Sequence, residues 1–88
     1  MNQDTLRKAL DRWGTVPQML MAVEECAELT QALMHYIRGR ATKEQVAGEV
    51  ADVLIMAAQM RMVFGAEDVD RAVEAKMDRL RERVGEAA

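Results

Sequence analysis

Residues 43–65 read KEQVAGEVADVLIMAAQMRMVFG and contain the most apolar run of the chain. Thr42, just before this stretch, and Gln45 have the spacing of a capping box, which predicts that a helix begins at residue 43. Gly65 is expected to end the helix. From Val50 onward its sequence is apolar nearly all round, which predicts a helix that is buried on several sides.

Asp52 stands inside this apolar run, where a carboxylate is costly to bury unless it is paired or bound to a metal ion. Glu49 precedes it by three residues, and on a helix such positions share a face, with Cβ atoms ~5–6 Å apart. Glu25 and Glu28 repeat the spacing in an earlier stretch that is flanked by apolar positions. If two packed helices carry these pairs, four carboxylates converge on one small space, where oxygen ligands suit Mg²⁺ or Mn²⁺.

Acidic helix faces are often only solvated, so one such pair would not by itself indicate a site. Ion pairing with Lys76 or Arg79 is another way to satisfy the acids. Two cations cannot neutralise four carboxylates, however, and a divalent metal ion is the interpretation that the two pairs together favour.

The rest of the chain also shows helical periodicity and no strand-like alternation. Asp4 or Thr5 can cap a first helix that Gly14 ends, and a second helix is expected from about Pro17 to the residue before Gly39. A fourth helix is indicated by apolar residues spaced four, four, three and four apart: Val69, Val73, Met77, Leu80 and Val84. The sequence therefore predicts an all-α fold with a single domain over residues 1–88.

Composition limits the class of protein further. Half of the 88 residues are apolar, which is more than a chain of this length can bury in its own core. We therefore expect a four-helix-bundle-like subunit completed by homo-oligomerisation, as a homodimer or homotetramer. A net charge of −3 argues against a nucleic-acid partner. The single cysteine, no signal peptide and no membrane-spanning run predict a cytoplasmic protein without a membrane partner.

The motif EExxE at residues 24–28 is followed, after the 20 residues 29–48, by ExxD at residues 49–52. This pattern resembles the signature of the MazG-like all-α nucleotide pyrophosphohydrolases, a superfamily that includes dimeric dUTPases and phosphoribosyl-ATP pyrophosphatase. The likeness extends roughly from Val16 to Val84. Family members cleave nucleoside triphosphates or related nucleotides between the α- and β-phosphates with Mg²⁺, which releases the monophosphate and pyrophosphate.

Position by position, the resemblance implies roles for several side chains. The implied metal ligands are Glu25, Glu28, Glu49 and Asp52. Glu24, next to Glu25 in the motif, would help to orient the attacking water. Lys76 corresponds to a family lysine that reaches the substrate phosphates, and Arg79 follows it by three residues as a second substrate contact. Leu80 stands where the last helix of the family often has asparagine.

Two other residues are candidate substrate contacts. Trp13 can stack on a nucleobase or serve in the core packing of the first helix, and His35 can contact a base or phosphate or lie in an ordinary interface. We expect an active site between the second and third helices that the fourth helix closes. Two other functions stay open: a phosphoribosyl-ATP pyrophosphatase, and a non-catalytic helical module that binds nucleotide or a partner protein.

Overall fold

The structure is a computed structural model that describes residues 1–86, and over that range it contains four α-helices and no strand. The helices are α1 (Gln3–Trp13), α2 (Thr15–Ile37), α3 (Lys43–Phe64) and α4 (Ala66–Arg83). The all-α prediction is therefore confirmed. Among residues 1–86, no helix is both long and apolar enough to cross a lipid bilayer.

The helix ends follow local capping rules. The hydroxyl of Thr42 accepts a hydrogen bond from the backbone N–H of Gln45 (3.1 Å), and the Gln45 side chain accepts one from the backbone N–H of Thr42 (2.8 Å). This reciprocal pair confirms the predicted capping box. Helix α1 begins earlier than expected, because its cap is Asn2 rather than Asp4 or Thr5: the Asn2 side chain accepts from the backbone N–H of Thr5 at 3.2 Å.

Helices α2 and α3 form the main helical pair of the chain and are joined by a short loop. They run antiparallel, since Gln18 near the start of α2 and Gln59 near the end of α3 border the same cavity. Helix α1 packs across both of them. Among the described residues, the buried apolar side chains are Leu6, Leu10 and Met56, so the core of a single chain is small.

Helix α4 packs on α3 and, within residues 1–86, contacts neither α1 nor α2. The chain turns between the two helices at Gly65, whose φ of 105° lies in the region that favours glycine. Arg61 on α3 donates two hydrogen bonds to the Asp70 carboxylate on α4, at 2.8 and 2.7 Å. The expectation that the fourth helix closes the space between the second and third is therefore wrong for the single chain.

The chain is more open than a compact domain of its size. Its radius of gyration is 15.7 Å, whereas a compact 88-residue chain has about 12 Å. Its accessible surface is 6814 Å², against roughly 5,200 Å² for a compact protein of 9.9 kDa. The predicted burial of α3 on several sides is not met within one chain, because Leu54 is 55% exposed and Ile55 41% exposed.

Candidate metal centre and flanking cavities

Three carboxylates from two helices converge at the middle of the α2–α3 pair. Glu25 of α2 and Glu49 and Asp52 of α3 each offer an oxygen, and these oxygens all lie within 4.8 Å of one another. Glu49 and Asp52 share a face because they are three residues apart on a helix. Glu28 lies one turn after Glu25 and acts electrostatically on both Glu25 and Glu49. We call Glu25, Glu28, Glu49 and Asp52 the acidic cluster.

The acidic cluster holds its negative charge at a cost. Burial raises the pKa of the Glu25 carboxyl above its ordinary value, and the neighbouring Glu28, Asp52 and Glu49 carboxylates raise it further. Burial also raises the pKa of Glu49, with added repulsion from Glu28 and Asp52. The Oε2 atoms of Glu25 and Glu49 are buried and have no hydrogen-bond partner among the described residues. A bound cation would relieve the repulsion and provide a partner for both oxygens.

The donor set fits a hard divalent ion. The three convergent ligand atoms are all carboxylate oxygens, which suit Mg²⁺ or Mn²⁺, whereas zinc sites usually include Cys or His. Glu25 and Glu49 are half-buried and Asp52 is exposed, so the site is open on one side. Magnesium sites in proteins commonly keep such open positions for water and substrate phosphates.

A polar cavity of about 520 Å³ adjoins one side of the acidic cluster. Glu28 and Glu49 border it, and His35 and Arg40 line it from the end of α2 and the following loop. The backbone N–H of Arg40 donates to the His35 carbonyl at 2.8 Å, which holds the loop against the helix end. His35 was a predicted substrate contact; Arg40 was not, although its position in a basic loop directly after the helix was a usable signal.

A second cavity, of about 640 Å³, lies about one helical turn beyond the cluster, and we call it the apolar cavity. None of the four cluster residues borders it, but Met21 and Met56 in its lining are four residues from Glu25 and Asp52. Its apolar lining comes from Trp13, Pro17, Leu20, Met21 and Met56. Two buried amides, those of Gln18 and Gln59, also border it. Glu24 lies at this cavity and is outside the group of three convergent carboxylates. The predicted substrate contact Trp13 thus lines a cavity near the acidic cluster.

The sequence interpretation did not assign a role to Gln18 or Gln59. A signal was available in their spacing: Gln18 precedes Glu25 by seven residues and Gln59 follows Asp52 by seven. Seven residues are about two helical turns, which return a side chain to the same face. This spacing would therefore have indicated that Gln18 and Gln59 lie on the same helix faces as Glu25 and Asp52.

Lys76 and Arg79, the other predicted substrate contacts, are not brought to the acidic cluster by the contacts within one chain. Both are exposed on α4, which packs on α3 without reaching α2.

The comparisons with known proteins leave the family open. No protein-family model matches the chain. No curated protein matches it significantly, and no solved structure does so.

Proposed function

We propose that this protein is a Mg²⁺-dependent nucleotide pyrophosphohydrolase that cleaves ribo- or deoxyribonucleoside triphosphates between the α- and β-phosphates. The observation that carries the proposal is the convergence of Glu25, Glu49 and Asp52 within 4.8 Å, with buried Oε2 atoms on both glutamates that lack partners among residues 1–86. The reaction class comes from the resemblance of the two acidic motifs to the MazG-like superfamily. A role in removing unwanted nucleotides fits that class.

The acidic cluster would hold the metal ion, with Mn²⁺ as a substitute for Mg²⁺. When bound, the ion offsets phosphate charge and makes water a stronger nucleophile. Glu24 lies beside Glu25 in the chain and is exposed at the apolar cavity, so it is available to orient the attacking water. Glu25, half-buried at the centre of the acidic cluster, is the second carboxylate proposed to take part in catalysis.

The polar cavity is the proposed site of the phosphate chain. Phosphoryl transfer asks a protein mainly to position the substrate and to balance its charge. Arg40 and His35 line this cavity together with Glu28 and Glu49. A triphosphate there would contact the metal ion at the acidic cluster and the Arg40 guanidinium farther along.

The proposed active form is a homodimer or homotetramer in the cytoplasm. The single chain exposes roughly 1,600 Å² more surface than a compact protein of its mass. An interface of standard size removes about 800 Å² from each partner, so one such interface accounts for about half of this excess and two account for all of it. Lys76 and Arg79 keep their proposed role in phosphate binding in such an assembly, where α4 of one copy can meet α2 of another.

The test is release of pyrophosphate from a panel of ribo-, deoxyribo- and base-modified nucleoside triphosphates, with Mg²⁺ or with EDTA. We expect metal-dependent release by the wild type and a loss of at least about 100-fold in Glu28→Gln, because this carboxylate would help to hold the metal ion that stabilises transition-state charge. Glu44→Gln, on the exposed first turn of α3, is the matched control and should retain activity.

Other products or inactivity would decide between the alternatives. Release of inorganic phosphate in place of pyrophosphate would contradict cleavage between the α- and β-phosphates. Turnover of phosphoribosyl-ATP and of no nucleoside triphosphate would favour a phosphoribosyl-ATP pyrophosphatase. Inactivity on every nucleotide, with the fold and the assembly intact, would favour a non-catalytic helical module.

A further inference from the structure

We infer that the apolar cavity is the nucleobase subsite and that Gln59 recognises the base by accepting a hydrogen bond from an N–H group on its edge. The inference rests on the proposed function, since it assigns one end of the nucleotide to a cavity near the acidic cluster. It adds a specificity-determining residue that neither the motifs nor the metal centre assigns.

The cavity has the size and lining that a flat heterocycle requires. Its volume of about 640 Å³ lies within the range of small-molecule sites, roughly 300–1,000 Å³. Leu20, Met21 and Met56 provide apolar walls, and Trp13 provides an aromatic face on which a base can stack. Trp13 is 57% exposed, so much of it is accessible in the single chain. The Arg12 guanidinium lies over the ring at 5.9 Å from its centroid, which leaves the opposite face for a base.

The position of the acidic cluster between two unlike cavities matches the two ends of a nucleotide. Glu28 and Glu49 border the polar cavity, which also contains Arg40. Glu24, on the other side, borders the apolar cavity. Gln59 follows Asp52 by seven residues, which is about 10 Å along a helix axis. An anionic phosphate chain in the polar cavity therefore leaves the base on the apolar side.

Gln59 is the observation that points to a polar ligand in this mainly apolar cavity. It is only 4% exposed, and its Oε1 atom has no hydrogen-bond donor among the described residues. Buried amide oxygens normally have a partner, because an unpaired one loses its hydration without compensation. The last side-chain torsion of glutamine is soft, so the amide can turn its oxygen toward the cavity. An N–H of a base supplies the missing donor, and the amide NH₂ can donate to an adjacent acceptor on the same edge.

Direct binding can test this subsite without metal or turnover. Trp13 is the chain's only tryptophan, so its fluorescence reports on the cavity specifically. Nucleoside monophosphates are titrated in EDTA, each beside an analogue whose base edge lacks the N–H group, such as purine riboside monophosphate for AMP and 3-methyl-UMP for UMP. We expect the N–H-bearing member of at least one pair to bind about tenfold more tightly, as for a single base-edge contact.

The substitution Gln59→Leu should remove that difference while the protein stays folded, because leucine has a similar size and leaves no unpaired amide. Should this variant not fold, Gln59→Met tests the same point with a more flexible side chain. Gln3→Leu, on the exposed start of α1, is the matched control and should keep the difference.

Three results would overturn the inference: equal binding within every pair, a preference that persists in Gln59→Leu, or a Trp13 signal that no monophosphate changes. The outcome is separable from that of the proposed function. A preference in EDTA without pyrophosphate release from any triphosphate would uphold the subsite and refute the enzyme. Pyrophosphate release without any preference between the paired monophosphates would uphold the enzyme and refute the subsite.

Discussion

Glu25 on α2 and Asp52 on α3 bring carboxylate oxygens within 4.8 Å of each other, although 26 residues separate them in the chain. The antiparallel pairing of the two helices sets them at the same height, with Glu49 beside them. Like charges at this separation repel, and the repulsion contributes to the raised pKa of Glu25. Protonation of a carboxyl or binding of a cation would relieve this repulsion, and each gives a measurable consequence.

The first consequence concerns metal binding. Mg²⁺ should raise the melting temperature of the wild type, because a ligand that binds only the folded state stabilises it, by about 2.7 kcal/mol at about 100 times its Kd. The double variant Glu49→Gln/Asp52→Asn should lose this response, since it removes two of the convergent ligands. Differential scanning calorimetry with and without Mg²⁺ measures both.

A matched double variant controls for net charge. Glu44→Gln/Glu67→Gln neutralises two exposed acids in the first turns of α3 and α4 and should keep the full response to Mg²⁺. Equal responses from the two double variants would show that Mg²⁺ acts on the general negative charge and not at the acidic cluster.

The second consequence concerns pH in the absence of metal. The pKa values of Glu25 and Glu49 are raised in the fold above the ordinary 4.5, so the folded state favours their protonated forms. Their contribution to stability is therefore complete below about pH 4.5 and is lost as the pH rises through the raised values. We expect the wild type in EDTA to lose stability over this window relative to Glu25→Gln/Glu49→Gln, in urea unfolding at a series of pH values.

Asp70 does not interfere with this measurement, because it titrates in a different pH range. Hydrogen bonding to Arg61 lowers the pKa of Asp70 below the ordinary 3.8. Its contribution is present above that value and is lost only as the pH falls further. A wild type and a Glu25→Gln/Glu49→Gln variant that respond identically above pH 4.5 would contradict the proposed repulsion.

The sequence predicted the parts of the fold that depend on local chemistry. The Thr42–Gln45 capping box appears in the structure with both of its hydrogen bonds. The three-residue spacing of Glu49 and Asp52 also predicted a shared face correctly. Such features depend on side chains within one turn of a helix, so periodicity and capping rules suffice.

The placement of whole helices was less predictable. The fourth helix was expected to close the site, yet within residues 1–86 α4 contacts α3 and neither α1 nor α2. An amphipathic pattern indicates that a face will be covered and does not say by which element, or by which copy of the chain. Gln18 and Gln59 line the same cavity because of the register of α2 against α3, which composition does not encode.

The third prediction concerns the attachment of α4. Asp70→Asn removes the charge that holds two hydrogen bonds from Arg61, so α4 should separate from α3 more readily. We expect faster amide hydrogen exchange along α4 and a small decrease in melting temperature, since the pair is partly exposed. Asp78→Asn is the control, because Asp78 pairs with Arg81 within α4 and links no two helices. Equal exchange in the two variants would show that the pair does not hold α4.

The last prediction concerns the apolar surface that one chain leaves open. Val50, Leu54 and Ile55 lie on α3 and are each more than a third exposed, although apolar groups of this size are stabilised by burial. Because the chain exposes more surface than a compact protein of its mass, we expect a second copy to cover this face. Leu54→Glu should weaken self-association at least about tenfold, since an interface does not readily accept an unpaired buried charge. Sedimentation velocity measures the change, and Gln3→Glu adds the same charge at an exposed site of α1 as a control. A wild type that stays monomeric at high concentration, or an assembly that tolerates Leu54→Glu, would contradict the prediction that a second copy covers this face.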